Sequence, residues 1–407
     1  MAKNFSLRDL VNVVHRWTGL FLALFLVIVG LTGTILAFGT SIDRLLNPEL
    51  HAKRQPGKVV LPLAAFAEAA EAAYPHLMPA YYSIEDDQVT MMMRGRTNPA
   101  TGQPYPVEVA HLVLDPWTGK ILGSSPMEGN WHEAAPLRQR ILPFVYSLHT
   151  TLATGSNTGW TFVGIVALIW TIDSLVAIWL TFPRGSGLFW MRFRQSWLIK
   201  WRANSARVHF DLHRATALWL WPLLFVFGWS SVRLGLLQVY EPVMHALFDY
   251  QGIDDGVASE ALPKPLEKPK LDWRAAEAAG AQIMTEQARL HHFTVEHPYG
   301  MAYIWEFGSY TYAVRSSIDW RGHGWDTTVL IDGNTGQLRE LDLPRGQHLG
   351  NTISTFLWGI HYGDLRDWLP FRTLIGLFGI LLALLSYTGV AIWWRKRRVR
   401  RAIQTEY

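Results

Sequence analysis

The chain has 407 residues, of which 49% are hydrophobic and 20 are tryptophan, with 37 Lys and Arg against 33 Asp and Glu. A soluble globular fold rarely has this make-up, whereas a membrane protein with sizeable water-exposed parts does. There is no cysteine, which excludes disulfide scaffolds, thiolate-held iron–sulfur clusters, thiolate-ligated haem and covalent CxxCH haem attachment. Any metal or haem must then be held by His, Met, Tyr or a carboxylate.

In chain order, residues 18–38 form the first uncharged run long enough to cross a hydrocarbon core of about 30 Å. The run is too long for a signal-peptide core and no A-x-A site follows it, so it reads as a retained anchor. An alanine-rich amphipathic helix over 63–74 comes next. A strand–turn–strand follows over 113–121, with Asp115 opening the turn and Gly119 at a position needing positive φ. Leu148-His149 precedes a second apolar run over 160–182, broken only by Asp173. A basic loop leads to the third run, 215–232, with Pro222 as a tolerated kink. The second long segment has a proline-rich linker around Pro263–Pro269, a helix over 273–290 and a strand–turn–strand over 330–338. Ile360-His361 precedes the fourth run, 373–394.

Lysine and arginine bias sets the orientation. The segment before the first run (Lys3, Arg8, Arg16), the loop from Arg184 to Arg214 and the tail after Trp394 hold sixteen of the 37 basic residues. The same segments hold three of the 33 acidic ones, Asp9, Asp211 and Glu406. Both termini and the middle loop are therefore expected in the cytoplasm, and the two long segments outside. The chain divides into 1–39, 40–145, 146–183, 184–208, 209–239, 240–355, 356–394 and 395–407. Each half repeats one order: His-Arg opening a helix (His15-Arg16, then His213-Arg214), an outer helix-and-hairpin segment, a histidine and a second helix. This is the pattern of an internal duplication. The expected fold is an integral-membrane four-helix bundle with two extracytoplasmic α+β domains.

Four motifs carry a resemblance: HRWxGL at His15–Leu20, DPxTGxxxG at Asp115–Gly123, Leu148-His149 before a helix, and TGxxxWWR at Thr388–Arg395. Together, and in this order, they resemble the PepSY-associated transmembrane family of bacterial inner-membrane proteins, over nearly the whole chain. Ala217 departs from the pattern, standing where a glycine is common. The resemblance implies that the two outer segments are PepSY-like domains and that the protein acts in iron uptake. Some members are haem-containing ferric-siderophore reductases.

Of the fifteen histidines, those at the membrane ends matter most. His15, His209 and His213 are expected at the cytoplasmic ends of the first and third runs, and His149 and His361 at the outer ends of the second and fourth. Imidazoles from two helices at one depth can clamp a porphyrin iron. This gives an inner haem b ligated by His15 and His213 and an outer one by His149 and His361. His209 is the substitute inner ligand, and His132 or His348 the weaker outer ones. Arg16 and Arg214 are candidates for the inner propionates and Arg233 for the outer. The bland alternative is interfacial histidines met by water or headgroups and arginines that snorkel. Asp173 either orients a histidine, joins a proton path or bonds a neighbouring helix. Gly19, Gly30, Gly33, Gly376 and Gly379 admit a porphyrin or pack helices.

Two haems would relay electrons across a bilayer too thick for one step. With the resemblance, the expected activity is reduction of a ferric chelate, a ferric siderophore, on a surface including Trp131, Trp305, Trp320 and Trp325. No GxGxxG or P-loop supplies an electron source, so the donor is a separate reductase, reduced flavin or membrane quinol. Nothing points to a hydrolase, and membrane topology explains the basic loops without nucleic acid. Two other classes stay open: a haem-free PepSY-type regulator and a transport accessory protein.

Overall fold

The computed structural model describes residues 5–54, 57–126, 129–132, 134–185, 187–252, 261–366 and 368–405. Lys3 and Glu406, used in the orientation argument, lie outside them. The first half runs α1 (Leu7–Leu36), α2 (Gly39–Leu46), α3 (Leu63–Ala73), β1 (Leu77–Glu85), β2 (Gln88–Gly95), β3 (His111–Leu114), β4 (Ile121–Ser124), α4 (Leu137–Thr151) and α5 (Asn157–Thr181). A short helix, α6 (Phe189–Ser196), leads into the second half: α7 (Ser205–Gly235), α8 (Leu237–Leu247), α9 (Trp273–Leu290), β5 (Val295–Ile304), β6 (Ser309–Ser316), β7 (Thr327–Asp332), β8 (Leu338–Asp342), α10 (Leu349–Tyr362) and α11 (Leu369–Thr405).

Helices α1, α5, α7 and α11 are long and apolar enough to cross a membrane; α7 and α11 contain the third and fourth expected runs, while α1 stops two residues short of the end of the first and α5 one residue short of the end of the second. They also overrun them. α1 begins at a capping box in which Ser6 accepts from the Asp9 amide and Asp9 accepts from the Ser6 amide. α7 starts at Asn204, whose side chain accepts from the Arg207 amide at 3.0 Å. α11 continues into the arginine-rich tail because Arg and Lys are strong helix formers and do not end a helix by their charge. Small residues set how the bundle closes. A Cβ on Gly30 of α1 would lie 2.6 Å from the Gly379 carbonyl of α11, and one on Gly164 of α5 would lie 2.7 Å from the Gly235 backbone of α7. Such backbone-to-backbone approach is how helices associate where lipid removes the hydrophobic drive.

The two segments between the helices do not form separate sheets. Their strands make one antiparallel sheet in the order β4-β3-β2-β1-β5-β6-β7-β8. The seam is β1 against β5, from Tyr81↔Ala302 to Ser83↔Gly300. Two four-stranded halves thus meet at the strands that would otherwise be open edges. Helices α3 and α9 pack on one face, where Phe66, Ala67, Trp273 and Met284 share a core with Tyr82, Met91, Met301 and Tyr312. The halves also share a helix cap. Pro62 offers α3 no side-chain acceptor, and Glu277 of α9 takes the amides of Leu63 (2.9 Å) and Ala64 (2.8 Å). The two hairpin turns follow the sequence reading. Asp115 and Asp332 accept amides two and three residues on, and Gly119 and Gly336 have φ of 69° and 74°.

A histidine ties the sheet to the bundle. The His51 side chain is only 4% exposed, and its Nδ1 and Nε2 lie 2.9 Å from Asp87 in the β1–β2 turn and from Asp43 on α2. Burial opposes the charged ring, but hydrogen bonds to both carboxylates outweigh it and raise the His51 pKa. Because the folded value is raised, the clasp contributes in full below the unfolded histidine pKa of about 6.5 and is lost as pH rises through the folded value. Thermal unfolding in detergent from pH 6 upward is expected to show stability falling with pH, with the slope reduced in His51→Gln.

Candidate functional site

The bundle has two ends, one under the sheet and one carrying the chain termini, and each holds a pair of histidines. At the sheet end, His149 and His361 lie in the last turns of α4 and α10. The sequence reading put them at the outer ends of the second and fourth membrane runs. They instead belong to separate short helices, because the chain breaks after each one. Leu152 caps α4 with φ 54° and Gly363 caps α10 with φ 65°. The imidazoles are thereby turned onto α1 and α7. His149 Nδ1 lies 2.9 Å from Thr32 Oγ1 on α1, and His361 Nδ1 lies 2.7 Å from Ser230 Oγ on α7.

Thr32 donates its single proton to the Ile28 carbonyl at 2.7 Å, so it accepts from the His149 ring. His149 Nδ1 then carries the hydrogen and its Nε2 lone pair is free. Ser230 Oγ also lies 3.3 Å from the Phe227 carbonyl. The ring centres are 6.5 Å apart, with planes at 73°. A metal bound by both Nε2 atoms through bonds of about 2 Å holds two imidazole centres about 6 Å apart. That spacing of the two rings would suit one metal atom held between them. Gly33 gives His149 its room, since a Cβ there would lie 3.2 Å from the ring. On the other side Phe227 lies 5.2 Å from His361 and stacks on Phe378 at 4.7 Å.

At the other end, His15 and His213 each bond across to a neighbouring helix. His15 Nδ1 lies 2.9 and 3.0 Å from the two Asp173 carboxylate oxygens on α5. His213 Nδ1 lies 3.2 Å from both the Leu385 carbonyl and Thr388 Oγ1 on α11. Gly389 stands 3.2 Å from the His213 ring by its would-be Cβ, and Gly19, one turn beyond His15, has nothing within 4 Å in that direction. On α1, His15 and Thr32 are seventeen residues apart, as are His213 and Ser230 on α7, which is about 25 Å of helix. The two pairs thus occupy opposite ends of the same helices.

The remaining expected residues separate into two groups. Arg233 lines a small space with Ser230, Trp358 and His361. Its guanidinium stacks 4.0 Å over Trp358, and its buried Nε and the Trp358 Nε1 have no hydrogen-bond partner. Arg16 Nε, beside His15, is likewise buried and unpaired. His209 and Arg214 do not serve the terminal-end pair. His209 is half-buried and bonds back to the Ser205 carbonyl at 2.7 Å. Arg214 is spent on Asp211 and the carbonyls of Ser196 and Gln195. The outer substitutes are engaged as well, His132 stacked on Trp131 at 3.6 Å and His348 paired with Asp249 at 3.0 Å. Trp305 lies under Arg94, Trp320 against Phe356, and Trp325 between Tyr81 and Tyr299. Of the glycines, Gly30 and Gly379 serve the helix crossing and Gly376 meets the Phe38 ring, leaving Gly19 and Gly33 beside the histidines.

Sequence reasoning missed Thr32 and Ser230, and it used Thr388 and Gly389 only as part of the TGxxxWWR motif, not as neighbours of His213. The signal was present, as equal spacing from the two His-Arg pairs and as the Thr-Gly dipeptide shared by 32–33 and 388–389. Among the described residues no group of three or more His, Asp or Glu side chains is arranged to hold a metal ion. Two imidazoles alone make a weak site for a free ion; their chemistry would suit a haem, which brings its own nitrogen donors and needs only two from the protein.

A family model for the PepSY-associated TM region matches residues 13–396. The chain belongs to that family. The match takes in the whole sheet, α5 and α7, and most of α1 and α11. No curated protein matches the sequence.

Near His213, the fully buried Asp211 binds Arg207 and Arg214 at 2.9 Å and also accepts from the Lys200 amide, fixing the loop before α7. Replacing Asp211→Ala leaves Arg214 underpaired and is expected to cost about 2–3 kcal/mol. A lower thermal midpoint in detergent would register it.

Proposed function

We propose that this protein is a di-haem b transmembrane electron-transfer protein of a bacterial inner membrane. It reduces a ferric chelate, of the ferric-siderophore type, on the sheet side. The observation that carries the reading is the His149–His361 pair, with rings 6.5 Å apart and each Nδ1 committed to a hydroxyl of a different long helix. Two halves with matching histidine, hydroxyl and hairpin positions support an internal duplication, and the basic segments support cytoplasmic termini with the sheet outside.

In this reading His149 and His361 hold one haem and His15 and His213 the other. A haem held this way supplies a one-electron ferric/ferrous couple. The chain's own residues fix that chemistry. Thr32, Ser230, Asp173 and Thr388 hold the rings in the tautomer that presents Nε2. Gly33 and Gly389 leave space at the ring edges. The unpaired Nε atoms of Arg16 and Arg233 are donors suited to propionate carboxylates. One electron delivered to a ferric chelate gives ferrous iron, which hard oxygen ligands hold less tightly. The electron comes from a separate cytoplasmic reductase, a reduced flavin or a membrane quinol.

The purified protein is expected to show the sharp bands of low-spin b-type haem on dithionite reduction. His149→Ala should remove one haem and spare the other. A colourless preparation from haem-replete cells would sink the proposal, and loss of both haems or of neither would show the pairing to be wrong.

A further inference from the structure

The four histidines are held alike, but not by equal acceptors. His149 and His361 face neutral hydroxyls, Thr32 and Ser230. His213 faces a carbonyl and a hydroxyl. His15 alone faces a carboxylate, with both Asp173 oxygens within 3.0 Å of its Nδ1. Asp173 is the sole acidic residue of α5, a helix otherwise made of apolar and small polar side chains, and its own side chain is 11% exposed. A carboxylate at such a position is costly, and its contact with His15 gives the reason for its presence.

We infer that Asp173 is a positioning residue that makes the His15–His213 pair the lower-potential of the two, and so directs electrons toward the sheet end. The inference rests on the haem ligation proposed above. A carboxylate accepting from Nδ1 gives the imidazole partial imidazolate character and strengthens donation from Nε2. Stronger axial donation, and a negative charge next to the ring, both favour ferric over ferrous iron. At the sheet end the acceptors carry no charge, and His361 lies against the aromatic Phe227 and Phe378, surroundings that favour the ferrous form with its lower net charge. Ligand basicity, local charge and polarity therefore act in one direction. An electron entering at the end with the termini moves downhill to the end under the sheet.

Potentiometric titration of the reduced haem band tests this. In His149→Ala only the terminal-end haem remains, and in His15→Ala only the sheet-end one, so each midpoint is read alone. The terminal-end midpoint is expected below the sheet-end midpoint. Adding Asp173→Asn to His149→Ala should move it upward, Asp173→Glu should keep it low, and Asp173→Asn with His15→Ala should leave the sheet-end midpoint where it was. An unmoved or lowered midpoint in Asp173→Asn overturns the inference, as does a terminal-end midpoint above the other. If Asp173→Asn fails to retain its haem, the order of the two midpoints and the Asp173→Glu value decide. Absence of b-type bands from the wild-type protein overturns the ligation itself, whereas a normal two-haem spectrum with an unmoved midpoint overturns only the role of Asp173.

Discussion

The arrangement depends on one constraint: each of four imidazoles spends its Nδ1 on an acceptor from a different helix. A histidine side chain in an apolar bundle has two rotatable bonds and two tautomers. One hydrogen bond from Nδ1 fixes the ring plane, the proton and the direction of the remaining lone pair together. Because each bond crosses between helices, α4 onto α1, α10 onto α7, α1 onto α5 and α7 onto α11, the same four contacts also fasten the bundle. Packing and site geometry are one set of interactions here.

Close helix approach makes those contacts reachable. α1 meets α11 where Gly30 faces Gly379, and α5 meets α7 where Gly164 faces Gly235. The flexible parts of the acceptors are then short, a threonine, a serine or an aspartate, and each still spans the gap. Above the bundle, α4 and α10 enter from opposite edges of the sheet, since α4 follows β4 and α10 follows β8. The separation of His149 and His361 is consequently tied to a rigid antiparallel layer as well as to the membrane helices.

Much of this was legible in the sequence, for identifiable physical reasons. Uncharged runs of the right length marked α1, α5, α7 and α11, and alanine spacing marked α3 and α9. Asp and Gly at fixed offsets marked the hairpin turns at Asp115 and Asp332. Each of these is a local signal. The seam between β1 and β5 was not legible, because strand pairing between distant segments leaves no periodicity in either one. Nor was the placement of His149 and His361 on separate short helices, although Gly363 marked one of the two breaks; Leu152 takes a left-handed conformation that its side chain does not announce. His209 shares a face with His213 by spacing, but its Nδ1 bonds back to Ser205 within α7 whereas His213 Nδ1 reaches α11.

The seam carries a consequence for how the chain is made. β1 ends at Glu85 and β5 begins at Val295, so more than two hundred residues must be synthesised before the first half-sheet meets its partner. At ribosomal rates of about 5–20 residues per second, that leaves the β1 edge unpaired for roughly 10–40 s. During that interval the strand from Leu77 to Glu85 offers open backbone donors and acceptors, the condition under which nascent chains recruit the wrong neighbour. The nascent β1 edge is thus the part of the sheet with the longest opportunity to pair wrongly during synthesis.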